Sequence, residues 1–468
     1  MTEGDRSAES IRLLTDLLGP GGIELRAEQL RYFGEDALRG RGDAGEAVMP
    51  LAVVRPATGE QTARVLALAS EAHVPIVPYG AGTGLMGGAR SYRPGIVLDT
   101  ARLNAIEVRA ADRFVWAGAG AILEDVDVAL REHGLCLGHD PWTFPVATVG
   151  GTLSTNSLGY KGGRYGGMGD QALALEVALA DGTLIKTRAV RRHSAGPDLA
   201  RLFIGAEGTL GVITAAALQA QPVPEREELR AFNFETFEAG FAVVDGMARL
   251  GLRPSLLDYG EEHASPWPEL ASREEEPPLL YLGFEGFNEE VDASLKRALA
   301  LVEASGGKQL PRETAKSFWE RRHVIAQRFA RGRPRDRGMG RNPDVAFDYI
   351  HVSLPPSQVL AFRDLCHAEA RSSGVGLLEC GLWTAPDFFS AVFVLPDAMG
   401  GQARLGEAID RLLMACQDMG GSMEYAHGAG RRLAHLMQRE HGEALAVLRR
   451  IKAALDPEGI LNPEKLGL

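Results

Sequence analysis

The sequence predicts an α+β protein of more than one domain, and three observations carry that expectation. The first is scale: 468 residues with 45% hydrophobic and 24% charged side chains can fill several cores of ordinary globular composition. The second is the alternation of short β-like runs with segments of helical spacing along the chain. The third is an uneven use of glycine. Three glycine-dense tracts precede residue 222, none falls between about 225 and 417, and the tail from 420 returns to the first style.

Residues 10–19, SIRLLTDLLG, set Ile11, Leu14, Leu17 and Leu18 at helical spacing and stop at Gly19. A polar stretch through Gly42 precedes the strand-like Ala52-Val53-Val54. Thr58 to His73 reads as a helix capped by Thr58 or Gly59, and Val74 to Val77 as a short buried strand. That strand leads into VPYGAGTGLMGGA (77–89), which holds Gly80, Gly82, Gly84, Gly87 and Gly88. Without a Cβ, such a backbone can approach a ligand closely and turn consecutive N–H groups onto an anion. Taken alone, the loop reads equally as a tight surface turn. The strand Gly95–Asp99 follows it, so the dinucleotide fingerprint, in which the glycines open a helix, does not apply.

Residues 106–121 read as a strand pair and Ile122 to His133 as a helix. The second tract, from Gly138, is GHDPWTFPVATVGGTLSTNSLGYKGGRYGGMGD; glycine and small hydroxyl residues at this density need an extended buried ligand to complete their packing. Ala174–Ala180 and Leu184–Thr187 form strands around the turn Asp181-Gly182. The helical Asp198–Phe203 leads to the third tract, Ile204 to Ile213. Pro222-Val223-Pro224 marks a boundary. Beyond it, the strands Leu279–Phe284 and Ala391–Leu395 and the helices Glu290–Ala304 and Pro356–Ser372 describe an α+β domain. Arg331 to Arg341, RGRPRDRGMGR, is either a solvated loop or an anion-attracting lid.

Composition also excludes functions. A net charge of −12, from 62 acidic and 50 basic residues, argues against a general nucleic-acid binder. Cys136, Cys366, Cys380 and Cys416 form no CxxC pair, so neither a disulfide framework nor a thiolate zinc site is expected, and a reducing compartment fits. The N-terminal MTEGDRSAESIRLL lacks the apolar core of a signal peptide, and no apolar run approaches the ~20 residues of a membrane span. A cytoplasmic protein without a transmembrane segment is expected.

Taken together, PYGAGTGLMGGA, DPWTFPVATVGGTLSTNSLG, YGGMGD, FIGAEGTLGVIT and the C-terminal HGAG and DPEGILNP resemble the flavoprotein family of vanillyl-alcohol oxidase and p-cresol methylhydroxylase. The likeness runs from about residue 48 to the C-terminus. It implies an α+β fold: a two-subdomain FAD-binding domain (1–222), an inserted α+β cap with an antiparallel sheet (223–420), and a C-terminal segment (421–468) completing the site. The implied cofactor is FAD. Tyr79, Gly80, Ala81, Gly82, Thr83 and Gly84 would cradle its pyrophosphate. Pro141, Thr148, Gly151, Ser154, Asn156 and Gly159 would line the isoalloxazine and ribityl chain. Glu207 and the backbone of Val212 or Ile213 would lie near the adenosine half, and Asn462 would close over the flavin. The first glycine loop contains no histidine for a covalent link, so FAD is expected to be non-covalent.

On the catalytic side, the resemblance makes His427 the group that takes a substrate proton, since a histidine titrates near neutral pH. By itself it reads as a core histidine. Arg322, three after Trp319, matches a segment associated with the substrate carboxylate in the 2-hydroxy-acid dehydrogenase branch; it reads equally as a surface arginine on a helix spanning Ala315–Phe329. Tyr425 is a weaker proton donor or wall. Metal-dependent members of that branch carry a histidine in a cap segment that here reads Cys380 to Asp387, and a glutamate where Ala426 stands. No divalent metal is therefore expected. The expected activity is oxidation of a hydroxy acid, a small acidic substrate, by hydride transfer to flavin N5. Alternatives are an alkylglycerone-phosphate synthase-like transferase and a non-catalytic flavin-binding subunit. The electron acceptor is unknown, and a homodimer stays open.

Overall fold

The computed structural model describes residues 3–38, 47–267, 276–324, 326–329 and 345–468. The arginine-rich 331–341 stretch lies outside these residues.

Three sheets organise the chain. In the first, Ala52–Val54 and Ile76–Tyr79 flank Ile96–Asp99 in parallel, with Ile23–Glu24 added antiparallel at the edge. All three residues of Ala52–Val54 and all four of Ile96–Asp99 are buried, as parallel strands covered on both faces must be. The crossover helix Gly59–Glu71 starts at Thr58, whose hydroxyl accepts the Gln61 N–H, a cap worth about 1 kcal/mol. Val65, Leu66 and Ala69 are its buried stripe.

The second sheet is antiparallel. Its central strand, Val212–Pro222, pairs with Phe114–Gly118 on one side and Ala172–Ala178 on the other. Leu184–Lys186 closes the hairpin foreseen around Asp181-Gly182. The second glycine tract, read only as a small-residue run, contains a short helix, Val149–Ser154.

The third sheet, seven-stranded and antiparallel, belongs to the cap. Its order is Lys308–Gln309, Arg226–Asn233, Glu276–Gly286, Leu256–Glu262, Gly376–Trp383, Phe388–Pro396, Val345–Ser353. Helices including Phe237–Arg249, Asn288–Ala304, Pro356–Ser373 and Gly401–Asp418 pack against it, and their buried stripes share one core with its strands. The helix expected over Ala315–Phe329 is shorter, Arg312–Arg321, with a 3-10 turn at Ala326–Phe329.

The tail returns across the molecule. Ile460 and Leu461 enter the core of the first sheet, and Leu448, Ile451 and Leu455 pack on that of the second. The Ile76 N–H donates to Ile460 O and the Asn462 N–H to Ile76 O, so the tail lies along the strand that feeds the first glycine loop.

Candidate active site

Strand Ile76–Tyr79 ends at the glycine loop, and the helix Val149–Ser154 begins against it. Thr148 caps that helix, its Oγ1 accepting from Gly151 N at 3.2 Å, and any side chain on Gly80 would strike the same hydroxyl. A helix start absent from the sequence after the loop is thus supplied in space by the second tract. The third tract closes the other side: a Cβ on Gly88 would lie 2.7 Å from Glu207 Oε2. The three tracts touch because glycine leaves room.

Between them runs a cleft of about 1360 Å3, part of it open to solvent. Of the residues expected to hold a cofactor, Tyr79, Gly80, Ala81, Gly82, Thr83, Gly84, Pro141, Thr148, Gly151, Ser154, Glu207, Val212 and Ile213 line it, as does His427. Tyr79 itself is buried, its ring against Phe33 and its hydroxyl donating to Glu35 O. Met86, Trp142, Thr143 and Trp383 also form walls.

Asn156, Gly159 and Asn462 are not among the cleft walls and brace it from behind. Asn156 adopts φ +49° and accepts the Gly169 N–H on Oδ1. Gly159 lies against the Asp140 backbone, where a Cβ would come within 2.6 Å. Asn462 donates from Nδ2 to Gly88 O at 2.9 Å and to Glu207 O at 2.6 Å, clamping the first tract to the third.

Glu207 joins the third tract to the tail. Its Oε1 accepts the N–H groups of Ala429 and Gly430 at 2.8 and 2.9 Å, beside the histidine loop. Burial raises its carboxyl to about 7, against the pull of those two N–H donors.

His427 reaches the cleft because residues 422–425 pair with Val345–Ser353: Ser353 and Ser422 exchange two backbone hydrogen bonds, and Tyr425 N donates to His351 O. The His427 ring packs edge-on to His351, centroids 4.5 Å apart. Glu424 Oε1 accepts the His427 backbone N–H at 2.9 Å and lies 3.5 Å from its Nδ1, within ion-pair reach but long for a hydrogen bond. Burial alone would raise the Glu424 carboxyl, but the charge of His427 holds it below its ordinary value. His351 is pushed down to about 3 by burial and by His427, which leaves it a neutral ring. Ligand atoms of His351, Glu424 and His427 lie within 4.8 Å of one another, a set able to close on a divalent ion. Ala426 and residues 380–387, on which the expectation of no metal rests, lie outside this set. Its one signal was the period of Val345–Ser353, which sets Phe347, Tyr349 and His351 on the less buried face.

Arg322 and Tyr425 do not line the cleft. Arg322 donates from Nε to Asp140 Oδ2 at 3.0 Å and from a terminal nitrogen to Trp319 O at 2.6 Å, and its other terminal nitrogen lies 3.0 Å from the same Asp140 oxygen as an ion pair. His323 Nε2 lies 2.7 Å from the other oxygen of Asp140. Burial raises the Asp140 carboxyl, but His323 and Arg322 together hold it below its ordinary value. Tyr425 stacks on Phe388 at 4.8 Å behind His351, and burial drives its hydroxyl pKa far up.

With this geometry in hand, comparison with known proteins assigns the chain. Residues 50–188 match the FAD binding domain, and residues 223–466 match the C-terminal domain of FAD linked oxidases. The chain belongs to the FAD-linked oxidases. The D-lactate dehydrogenase of Archaeoglobus fulgidus is 30% identical to this FAD-linked oxidase over 421 residues, 88% of this chain and 90% of that protein. The glycolate oxidase subunit GlcD of Bacillus subtilis is 27% identical over 429 residues, 89% of each. Among solved structures, p-cresol methylhydroxylase with substrate bound aligns at TM-score 0.80 and 18% identity, covering 100% of this chain and 98% of that one. An alkyldihydroxyacetonephosphate synthase aligns at 0.77 and 20% identity, covering 98% and 86%. At such identities, these two likenesses concern the fold. This FAD-linked oxidase is a flavin oxidoreductase with the p-cresol methylhydroxylase type of architecture, and FAD is its cofactor. No helix among the described residues is long and apolar enough to cross a membrane.

Proposed function

We propose that this FAD-linked oxidase oxidises a small 2-hydroxy monocarboxylate of the lactate or glycolate class, with His427 accepting the hydroxyl proton. The observation that carries the reading is the position of His427 on the cleft wall, backed by Glu424 and His351. The glycine loop at 80–84, Thr148 and Gly151 would hold FAD along the cleft, where it would supply the hydride acceptor. The residues fit a non-covalent cofactor: the glycine loop, the Thr148 cap and the Glu207 turn form backbone-rich walls on which a side chain at Gly80 or Gly88 would intrude. Glu424 stands beside the His427 ring, with Oε1 3.5 Å from Nδ1, and accepts the backbone N–H of the same residue. Trp383 and Trp142 give the cleft an apolar wall that would limit water around a bound substrate.

Arg322 is the proposed partner of the substrate carboxylate. Asp140 already neutralises it, so a substrate anion competes with Asp140 for the guanidinium, and the pair also ties the cap to the second tract. Arg322→Lys keeps the charge and loses the two-pronged contact. It is expected to raise KM for hydroxy acids more than it lowers kcat.

Anaerobic mixing with D-lactate or glycolate is expected to bleach the flavin of the wild type. His427→Ala is expected to retain FAD, read from its visible absorbance, and to lose bleaching by at least two orders of magnitude. Loss of FAD in that variant makes His427 structural. Failure of every hydroxy acid to bleach the wild type, with a flavin adduct formed from an acyl-dihydroxyacetone phosphate, transfers the assignment to the synthase chemistry. Activity is expected to survive chelation; its abolition and its restoration by a divalent ion, seen also in a Cys380→Ser variant that lacks the thiol of the cap sheet, would make His351, Glu424 and His427 ligands.

A further inference from the structure

A second cluster lies on the other face of the cap sheet. Glu261 and Cys380 are directly opposite each other on neighbouring antiparallel strands. Strand alternation sends both away from Trp383, which lines the cleft. His263 stands two residues beyond Glu261, and its N–H donates to Leu378 O, so the strand register continues and the same face is kept. His367 comes down from the helix Pro356–Ser373, one turn after Arg363. A period of two on two strands and of four on a helix converge on one point.

The geometry at that point is more than an ion pair. One ligand atom from each of Glu261, His263, His367 and Cys380 falls within a 4.8 Å set. The Nε2 atoms of His263 and His367 lie 3.3 and 3.5 Å from the same Glu261 oxygen, and the two rings are 4.9 Å apart and nearly perpendicular. Both Nε2 atoms are buried, yet neither is directed along a hydrogen bond. Two buried ring nitrogens left without a hydrogen bond beside one carboxylate are costly unless something between them accepts their lone pairs. Arg363 accounts for Glu261 alone: its Nε and a terminal nitrogen donate to the two carboxylate oxygens at 2.6 and 2.9 Å, and it reaches Glu238 on its outer side. It leaves the histidines and Cys380 unexplained.

We propose that Glu261, His263, His367 and Cys380 form a structural site for a divalent ion of the zinc class. Two imidazoles, one thiolate and one carboxylate are a tetrahedral, borderline-soft donor set that suits Zn2+ and disfavours Mg2+ or Ca2+. Cys380 gives up its thiol proton on binding, so occupancy falls with acidity. The thiolate and Glu261 together offset the ion beside the Arg363 cation. The site pins a helix to the middle strands of the cap and is separated from the flavin cleft by the sheet.

Cobalt substitution of the full-length holoprotein tests this directly, because the His351–Glu424–His427 set contains no sulfur. The wild type loaded with Co2+ is expected to show a thiolate-to-cobalt charge-transfer band in the near ultraviolet and intense tetrahedral bands in the visible. Cys380→Ser is expected to abolish the charge-transfer band and, grown in zinc, to carry one ion per chain fewer by elemental analysis. His351→Ala is expected to keep the band. Its absence from the wild type, or its survival in Cys380→Ser, overturns the proposal. Should Cys380→Ser fail to fold, as judged by FAD content, His367→Ala on the partly exposed helix flank must lose the metal, and retention there overturns it equally.

Discussion

Glu207 shows how much one side chain can govern here. Its backbone carbonyl receives Asn462 and its carboxylate receives the tail, while burial lifts its carboxyl from 4.5 to about 7. An acid whose folded pKa lies above its unfolded value stabilises the fold fully below about 4.5, and that contribution is lost as pH rises through 7. The full difference is worth roughly 3 kcal/mol. Glu207→Gln keeps an acceptor oxygen but cannot ionise. Denaturant titrations of the FAD-free protein are expected to show the variant gaining on the wild type between about pH 5 and pH 8, with no gain below pH 4.5. A constant difference across that range would mean Glu207 is not ionising in the fold. At this scale the sequence was partly legible. His427 and most cleft residues announced themselves through motifs, whereas Glu424 and His351 are ordinary polar residues that matter only because two distant strands align. Arg322 was visible as a cation, but its partner Asp140, 182 positions away, was not.

At the scale of elements, the glycine loop and the helix Val149–Ser154 act as one device. The loop was legible because glycine density is a local property. The helix was not, since Gly150, Gly151 and Thr152 give it weak intrinsic propensity and its stability comes from packing on the central strand and Ala119. Gly80→Ala, which sets a methyl on the Thr148 hydroxyl, is expected to push the two apart and weaken FAD retention at least tenfold, measured by equilibrium dialysis. Gly430→Ala faces both a left-handed φ of +54° and the Met86 carbonyl. The backbone conformation alone costs about 1–2 kcal/mol. It is expected to displace the histidine loop, so bleaching by hydroxy acid falls even where FAD is retained. The cap strands Glu276–Gly286 and Phe388–Pro396 were foreseen at their cores, but their place in the sheet was not, because pairing order depends on partners remote in sequence.

For the whole molecule, cofactor and fold are thermodynamically linked. A ligand held between three tracts and a returning tail stabilises only the folded state, by about 2.7 kcal/mol at a hundredfold excess over Kd. Thermal unfolding is therefore expected to shift upward with FAD concentration. In Asn462→Ala, which cuts the clamp between Gly88 and Glu207, the shift is expected to shrink; an unchanged shift would mean the clamp does not serve the cofactor. The domain pattern was readable from the glycine distribution, but the tail's route along strand Ile76–Tyr79 had no local mark beyond the small DPEGILNP motif.

That route has a consequence for how the protein is made. The Asn462 contact to Gly88 spans 374 residues, so the ribosome releases the glycine loop long before the segment that secures it exists. At the usual pace of synthesis, the interval is roughly 20 to 75 seconds. Through all of it the nascent chain carries a half-built cradle whose walls have neither ligand nor clamp. Because FAD stabilises only the completed fold, flavin supply during synthesis is expected to raise the yield of folded protein, measured as soluble holoprotein from flavin-limited against flavin-replete cells.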